Sequence, residues 1–239
     1  KIRELVYNFD VDAYVAPDMT LLAEHITEGK IKEMAYQQEP NNIVWCVLEN
    51  GKLAAMTYRR EEDVVAWHEH LLGGRFGNKD YGFVESIASI SSSDRTEEEV
   101  YLSVKRDVDG DDFRHIERLK PIDFGSDVED AFYVDAGLTY DGSATTSITG
   151  LDHLEGETVS ILADGATHAD KTVSSGSITL DRSVTKAHVG LAYESILQTM
   201  RPDSGGTEGT SQAKNKRISD VDLRVLNSVG AKVGTSESN

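Results

Sequence analysis

The fold is decided by the stretch Ile43-Val44-Trp45-Cys46-Val47-Leu48-Glu49-Asn50-Gly51-Lys52-Leu53-Ala54-Ala55-Met56-Thr57-Tyr58. Two apolar strands are joined here by an Asn-Gly turn, which is the strongest short-range sequence signal for a β-hairpin. A preceding strand at 31–35 and a following strand at 64–67 extend the hairpin to a unit spanning 31–67. The stretch therefore predicts an antiparallel β meander.

A second unit at 84–118 repeats this arrangement. Its strands are predicted at 84–90, 100–104 and 113–118, with an Asp109-Gly110 turn before the last of them. Trp45 and Tyr101 occupy matching places in the two units. Repeated β units of this kind are typical of radially stacked sheets such as propeller blades. The predicted fold class is mainly β, with partial β-propeller-like blades.

Composition limits the classes of function. The chain has 239 residues and a formal net charge of -18, enough length for one or two domains with real cores. The acidic balance argues against tight binding to nucleic-acid phosphates, which needs clustered Lys and Arg. It is compatible with DNA passing an acidic wall without adhering to it.

The single cysteine and the termini add further expectations. Cys46 forbids an intrachain disulfide, and its place in an apolar strand predicts a small core residue. No apolar run approaches the ~20 residues needed to span a bilayer. The chain begins Lys-Ile-Arg-Glu, without an initiator Met or a signal-peptide pattern. We interpret it as an excised or processed piece.

The N-terminal region, residues 1–124, is predicted to hold the blade-like units and one short N-terminal helix near 18–28. Asp18 or Thr20 can serve as the N-cap of this helix, Leu21, Leu22 and Ile26 fall on one face, and Gly29 can end it. His25 belongs to the helix and is interpreted as an exposed or hydrogen-bonded side chain. A domain boundary is predicted at 120–127.

Residues 131–200 are predicted to form a small β-barrel or sandwich domain, because their strands are short and evenly spaced. The predicted strands are 132–134, 138–140, 158–163, 177–180 and 187–191, with turns at Asp141-Gly142 and Asp164-Gly165. Residues 201–216 are rich in Gly, Ser and Thr, which predicts a flexible loop. Residues 217–239 are predicted to hold a strand at 221–226 and a frayed C-terminus.

Several polar clusters are candidate chemical sites. His68 and His70 share a face if the strand continues, but two histidines lack a third metal ligand, and a solvated strand end is the preferred interpretation. Asp107, Asp109 and Asp111 alternate like a calcium loop, yet Arg118 stands at position twelve, where an EF-hand requires Glu. We interpret them as a decorated hairpin tip and leave cation binding open.

Two further groups complete the candidates. The acidic runs at 61–63 and 97–99 are interpreted as solvated loops. Trp45, Trp67 and Tyr101 are interpreted as core residues, the alternative being an exposed platform for sugars. The sequence contains no nucleophile elbow, phosphate-binding glycine loop or His-Glu-x-x-His run. No catalytic, cofactor-binding or metal residue is assigned, no cofactor is predicted, and the protein is predicted not to be an enzyme.

Six strings of the chain resemble the tail nozzle proteins of short-tailed bacteriophages, also called tail tubular protein B. The resemblance spans about residues 10–200 and consists of recurrent strings, with no catalytic signature. These strings lie at 43–58, 62–68, 83–88, 114–119, 154–165 and 188–195.

The resemblance implies a structural protein of the virion tail, assembled in the bacterial host cytoplasm. It implies a homo-hexameric tube with β-propeller material and a platform domain, through which DNA is ejected. The tube would lie beneath a ring-shaped tail adaptor protein, and DNA would pass without specific binding. Family members are much longer than this chain, which would hold only some blades and inserted β domains.

Two alternatives stay open at this point. One is a carbohydrate-binding or carbohydrate-cleaving β-propeller module, suggested by the repeated aromatics and abundant carboxylates. The other is a calcium-stabilised adhesion module that uses Asp107, Asp109 and Asp111. Burial of Trp45, Trp67 and Tyr101 would favour the scaffold, and their clustered exposure would favour the sugar site.

Overall fold

The computed structural model describes residues 1–201, 215–226, 228 and 231–234. Strands make up 51% of the chain, and no described helix reaches seven residues, so the mainly β prediction is confirmed. The chain divides into a first unit, residues 1–193, and a second unit, residues 194–239. Four open sheets are present among the described residues, and none closes into a barrel.

The first large sheet is the predicted meander. It consists of β3 (Ile31–Gln37), β4 (Ile43–Leu48), β5 (Leu53–Arg59) and β6 (Val64–His70), in that order and all antiparallel. Gly51 closes the hairpin between β4 and β5 with a φ of 88°. A Cβ at this position would collide with the ring of Phe83, so the turn packs directly on the next sheet.

The second sheet is a three-stranded meander of β7 (Phe83–Ser91), β8 (Glu98–Val108) and β9 (Asp111–Arg118). Asp109 and Gly110 join β8 to β9 with φ values of 51° and 86°. Two consecutive residues in the left-handed region are the mark of a type I′ turn, whose twist matches the flanking strands. The predicted hairpin tip is therefore confirmed.

These two sheets pack face to face over one hydrophobic core. Trp45, Val47 and Leu53 of the first sheet meet Val84, Leu102 and Val104 of the second. Because strand residues alternate between faces, the burial of Val100 and Leu102 turns Tyr101 outward. Trp45 and Tyr101 thus match in chain position but lie on different sides of their sheets relative to this core.

The third sheet has its own core and an order that differs from a meander. Its strands are β10 (Asp135–Thr149), β11 (Thr158–Ala163), β12 (Ala166–Thr172) and β13 (Ser177–Leu191), arranged β10-β13-β11-β12. Asp164 and Gly165 have φ values of 47° and 72° and form the predicted tight turn, here between β11 and β12. The buried side chains of this core include Leu151, Leu154, Val159, Ile161, Val173, Leu180, Val184 and Val189.

Two sequence predictions for this region were wrong, and two strands predicted as separate are joined. Residues 132–134 form no strand. Asp141-Gly142 is not a turn, because β10 continues through it and absorbs extra residues as a register shift opposite Lys186 and Val184. The strands predicted at 177–180 and 187–191 are parts of one long strand, β13. Asp141 and Gly142, which usually favour a turn, here lie at an irregularity within a paired strand.

The N-terminal helix is much shorter than predicted. Only α1 (Glu24–Thr27) is helical, so the predicted short helix is present within 18–28 but occupies only part of that range. Asp18 accepts hydrogen bonds from the amide and hydroxyl of Thr20, at 2.9 and 2.6 Å, and this local turn precedes the helix. Leu21 and Leu22 remain 68% and 93% exposed, so they supply no buried face to extend it. His25 is exposed, as expected.

The remaining N-terminal residues form a small hairpin of β1 (Val6–Asn8) and β2 (Ala13–Val15). Residues 120–127, the predicted boundary, contain no strand or helix. Whether 1–124 and 131–200 are separate domains stays a prediction, as both belong largely to the first unit.

The second unit lacks the strand that the sequence predicts at 221–226. Residues 221–226 are exposed and form no strand, so that prediction was wrong. Apolar alternation produces a strand only where a neighbouring strand completes the hydrogen bonds, and none does so among the described residues. Most of the loop predicted at 201–216, and the end predicted to fray beyond residue 234, lie outside the described residues.

Cys46 lies in the hydrophobic core, as predicted, and its burial should protect the thiol from reagents. It is fully buried on the face of the first sheet opposite Trp45, and burial raises the pKa of its thiol to about 11. Because the thiolate is the reactive form, we expect native protein at pH 8 to resist an aromatic disulfide reagent and denatured protein to react with one equivalent. Rapid labelling of folded protein would contradict this burial.

Candidate functional site

The most unusual cluster of the first unit is a buried polar junction, defined by Arg106, Glu117, Gly73 and Asp135. Arg106 lies on the core face of β8 and is 0% exposed. Its guanidinium forms a two-pronged ion pair with Glu117 on β9, and its Nε donates to the carbonyl oxygen of Gly73 at 2.7 Å. A fully buried charge is stable only with such complete pairing.

Asp135 extends the junction to the third sheet. It is the first residue of β10, and its Oδ2 accepts the backbone N–H of Gly73 at 2.7 Å. Burial raises the pKa of Asp135 to about 6, Glu117 adds to the rise, and the Gly73 amide and Arg106 oppose it. Gly73 is therefore held from both sides, so the junction connects the β7–β9 sheet to the β10–β13 sheet.

Two histidines border the junction. His115 on β9 lies with its Nδ1 3.9 Å from Glu117, and this nitrogen is buried without a hydrogen bond. Its ring meets that of His153 edge-on at 5.9 Å between centroids, and His153 contacts the carbonyl oxygen of Ala136 at 2.8 Å. Burial lowers the pKa of His115, so its ring favours the neutral form.

His68 and His70 lie on one face of β6, as the alternation of a strand predicts. Their Nδ1 and Nε2 atoms are 2.7 Å apart. The strand end is only partly solvated: β6 continues to His70, both histidines are half-buried, and their rings pack toward Trp45, with centroids 6.4 and 5.2 Å away. Burial lowers the pKa of both histidines, and that of His70 falls to about 4.

The acidic hairpin tip is arranged by its strands. Asp107 and Asp112 stand opposite each other on β8 and β9, and Asp107 raises the pKa of Asp112. Asp107 also accepts the N–H of Gly77 at 2.7 Å. In the part of the chain that the structure describes, no three His, Cys, Asp or Glu side chains are grouped to hold one metal ion. Among the described residues, therefore, Asp107, Asp109 and Asp111 do not form such a group.

The acidic runs take two different roles. Glu61, Glu62 and Asp63 are exposed in the turn before β6, as expected. The run at 97–99 is not simply solvated, since Glu98 accepts the backbone N–H groups of Gln38 and Glu39 at 2.8 and 2.6 Å. This contact fastens the loop after β3 to the second sheet. Sequence reasoning missed it because the partners are about sixty residues apart.

The large aromatics do not form a common platform. Trp45 is 6% exposed in the core between the sheets, and its indole N–H donates to Gln37 at 3.1 Å. Trp67 lies on the opposite face of the first sheet and donates to the carbonyl oxygen of Met19 at 2.8 Å. Tyr101 belongs to the other sheet and donates to Glu99 at 2.6 Å. This arrangement suits structural aromatics.

A shallow cleft of ≈ 300 Å³ opens beside the third sheet and was not predicted. Lys120 lies over the ring of Phe132 at 5.7 Å, and Lys186 pairs with Asp130 and Asp141. Its lining comes from 120–133 and from facing residues of β10 and β13. Only the pairing of β10 with β13 brings these segments together, so no local sequence signal announced the cleft.

The fold and its clusters define a class: an all-β protein of open antiparallel sheets, joined through a shared core and a buried ion pair. No helix in the described part of the chain is long and apolar enough to cross a membrane. No protein-family model matches the chain, and no curated protein matches it.

Proposed function

We propose that the chain is part of a phage tail nozzle, a structural and non-catalytic component of the virion through which DNA is ejected. The observation that carries the proposal is the face-to-face packing of two antiparallel meanders, β3–β6 and β7–β9, over one core. Neighbouring blades of a propeller meet in this way. The strings that resemble tail nozzle proteins run through both of these sheets and into the third.

The surface of the first unit supports a role in assembly. The N-terminal hairpin exposes large apolar side chains, among them Leu5, Phe9 and Tyr14, with Phe9 87% exposed. Contiguous exposed apolar groups mark contact surfaces in soluble proteins. In the proposed assembly, six copies form a tube beneath the tail adaptor, and these residues are covered by neighbouring subunits.

The charge of the chain suits a conduit. A formal net charge of -18 repels the phosphate backbone of DNA, so a lumen built from such chains would release the genome. The alternative of a sugar-binding module gains no support from Trp45 and Trp67, which lie on opposite faces of one sheet.

The proposal is tested by labelling intact phage particles with antibodies raised against residues 1–193. We expect label at the far end of the tail, and a ring mass when the full-length protein is measured in solution. Absence of label from particles would overturn the proposal. A glycan array provides the matched test of the alternative, and saturable binding to a glycan would favour that module instead.

A further inference from the structure

We propose that His68 and His70 form a two-imidazole chelate for a divalent transition-metal ion, with water completing the coordination. The site lies on β6 and is independent of the proposed role in a tail. It needs no third side chain of the protein.

The positions of the two rings carry the proposal. The Nδ1 of His68 and the Nε2 of His70 face each other at 2.7 Å across one strand face. Zinc–nitrogen bonds of about 2.0–2.1 Å in a tetrahedral site place two nitrogens roughly 3.3 Å apart. The two nitrogens are therefore slightly closer together than a chelate requires, and binding would need both rings to turn so that their lone pairs meet at one ion.

The surroundings determine which ion the pair would take. Glu69 lies on the opposite face of β6 and pairs with Lys52 at 3.1 Å, so its carboxylate is turned away from the imidazoles. A ligand set of imidazoles alone suits Cu²⁺, Ni²⁺ and Zn²⁺, whereas Mg²⁺ and Ca²⁺ require oxygen ligands. We therefore expect Cu²⁺ to bind more tightly than Ni²⁺ or Zn²⁺.

Neighbouring residues leave room for an ion. Ala55 stands directly opposite His68 on β5, and the hydroxyl oxygen of Thr57 on the same strand lies 3.4 Å from the Nε2 of His68, the ring nitrogen that the proposed site does not use. β6 is the edge strand of its sheet, and no other strand of the described residues pairs with its free side. Both histidines are partly exposed. An ion can therefore approach along this edge.

Without a bound ion, the two rings can instead form a hydrogen bond with each other, since their facing nitrogens are 2.7 Å apart.

The test uses fluorescence of Trp45, whose ring lies 5.2 Å from that of His70. Trp67→Phe in the full chain leaves Trp45 as the only tryptophan. We expect Cu²⁺ to quench it saturably at one ion per chain, and calorimetry to show Zn²⁺ binding at the same stoichiometry. His68→Gln or His70→Gln should each weaken binding by at least about tenfold.

His25→Gln is the matched control, because His25 is exposed on α1. It should leave the titration unchanged. Quenching without saturation, or saturable binding that survives the double His68→Gln/His70→Gln variant, would overturn the proposal. If a variant unfolds, protection of both histidines from diethyl pyrocarbonate by Zn²⁺, measured by mass spectrometry on the unmodified chain, decides the question: protection supports the site and equal labelling refutes it.

Discussion

Replacement of Arg106 by methionine is expected to lower the free energy of unfolding by about 3–5 kcal/mol. Methionine fills much of the same space but leaves the Glu117 carboxylate, 15% exposed, without its partner. It also removes the hydrogen bond to the Gly73 carbonyl. The cost comes mainly from the uncompensated buried charge and not from the loss of a favourable pair.

The measurement is urea denaturation, with the change read as a shift in midpoint at constant slope. Arg114→Met on the neighbouring strand is the matched control, because Arg114 pairs with Glu85 at the surface and is 64% exposed. Its midpoint should stay unchanged within error. Adding Glu117→Gln to Arg106→Met should recover part of the loss. Equal effects of the two arginine substitutions would show that the junction contributes no more than a surface pair.

Asp135→Asn is expected to stabilise the protein at alkaline pH relative to acidic pH. The folded pKa of Asp135 is raised from 3.8 to about 6, so the fold favours the neutral acid. The stability that this group contributes is fully present below about pH 4 and is lost as the pH rises through 6. Asparagine keeps the acceptor for the Gly73 amide and carries no charge at any pH.

The difference in unfolding free energy between the variant and the unmodified protein should therefore grow by about 2–3 kcal/mol from pH 4 to pH 8. Denaturation series at the two pH values measure it, and groups common to both proteins cancel in the difference. Asp141→Asn, at a carboxylate 70% exposed on the same strand, is the control and should show little change. A pH-independent difference for Asp135→Asn would mean that its carboxyl is solvated in the folded protein.

The sequence predicted those parts of the fold that depend on neighbouring residues. The predicted strands at 43–48 and 158–163 agree with the bounds of β4 and β11, since β4 is an apolar run, β11 has buried residues at alternate positions, and each ends just before a turn signal. Asp109-Gly110 and Asp164-Gly165 form the tight turns expected of them because glycine tolerates the required φ. The strand at 221–226 was wrong although its pattern is clear, because the pattern does not supply a partner.

The environment of His68 and His70 and the partners of the buried polar junction could not be predicted from neighbouring residues in the sequence. Alternation placed His68 and His70 on one face, but the packing toward Trp45 that lowers their pKa comes from β4, on a different strand. Alternation along β8 places Arg106 on the same face as Leu102 and Val104, but the sequence could not show its partners, which lie at residues 73 and 117.

By itself, therefore, the sequence determined most strands of the first two sheets, the tight turns at Asp109-Gly110 and Asp164-Gly165, and the acidic charge of this protein. Only the tertiary structure decided which sheet faces share a core, that Asp141-Gly142 continues a strand, and which charged groups are buried. The physical reason is the distance along the chain over which each interaction acts. Backbone preference and side-chain alternation act over a few residues, whereas burial and ion pairing depend on residues brought together from distant parts of the chain.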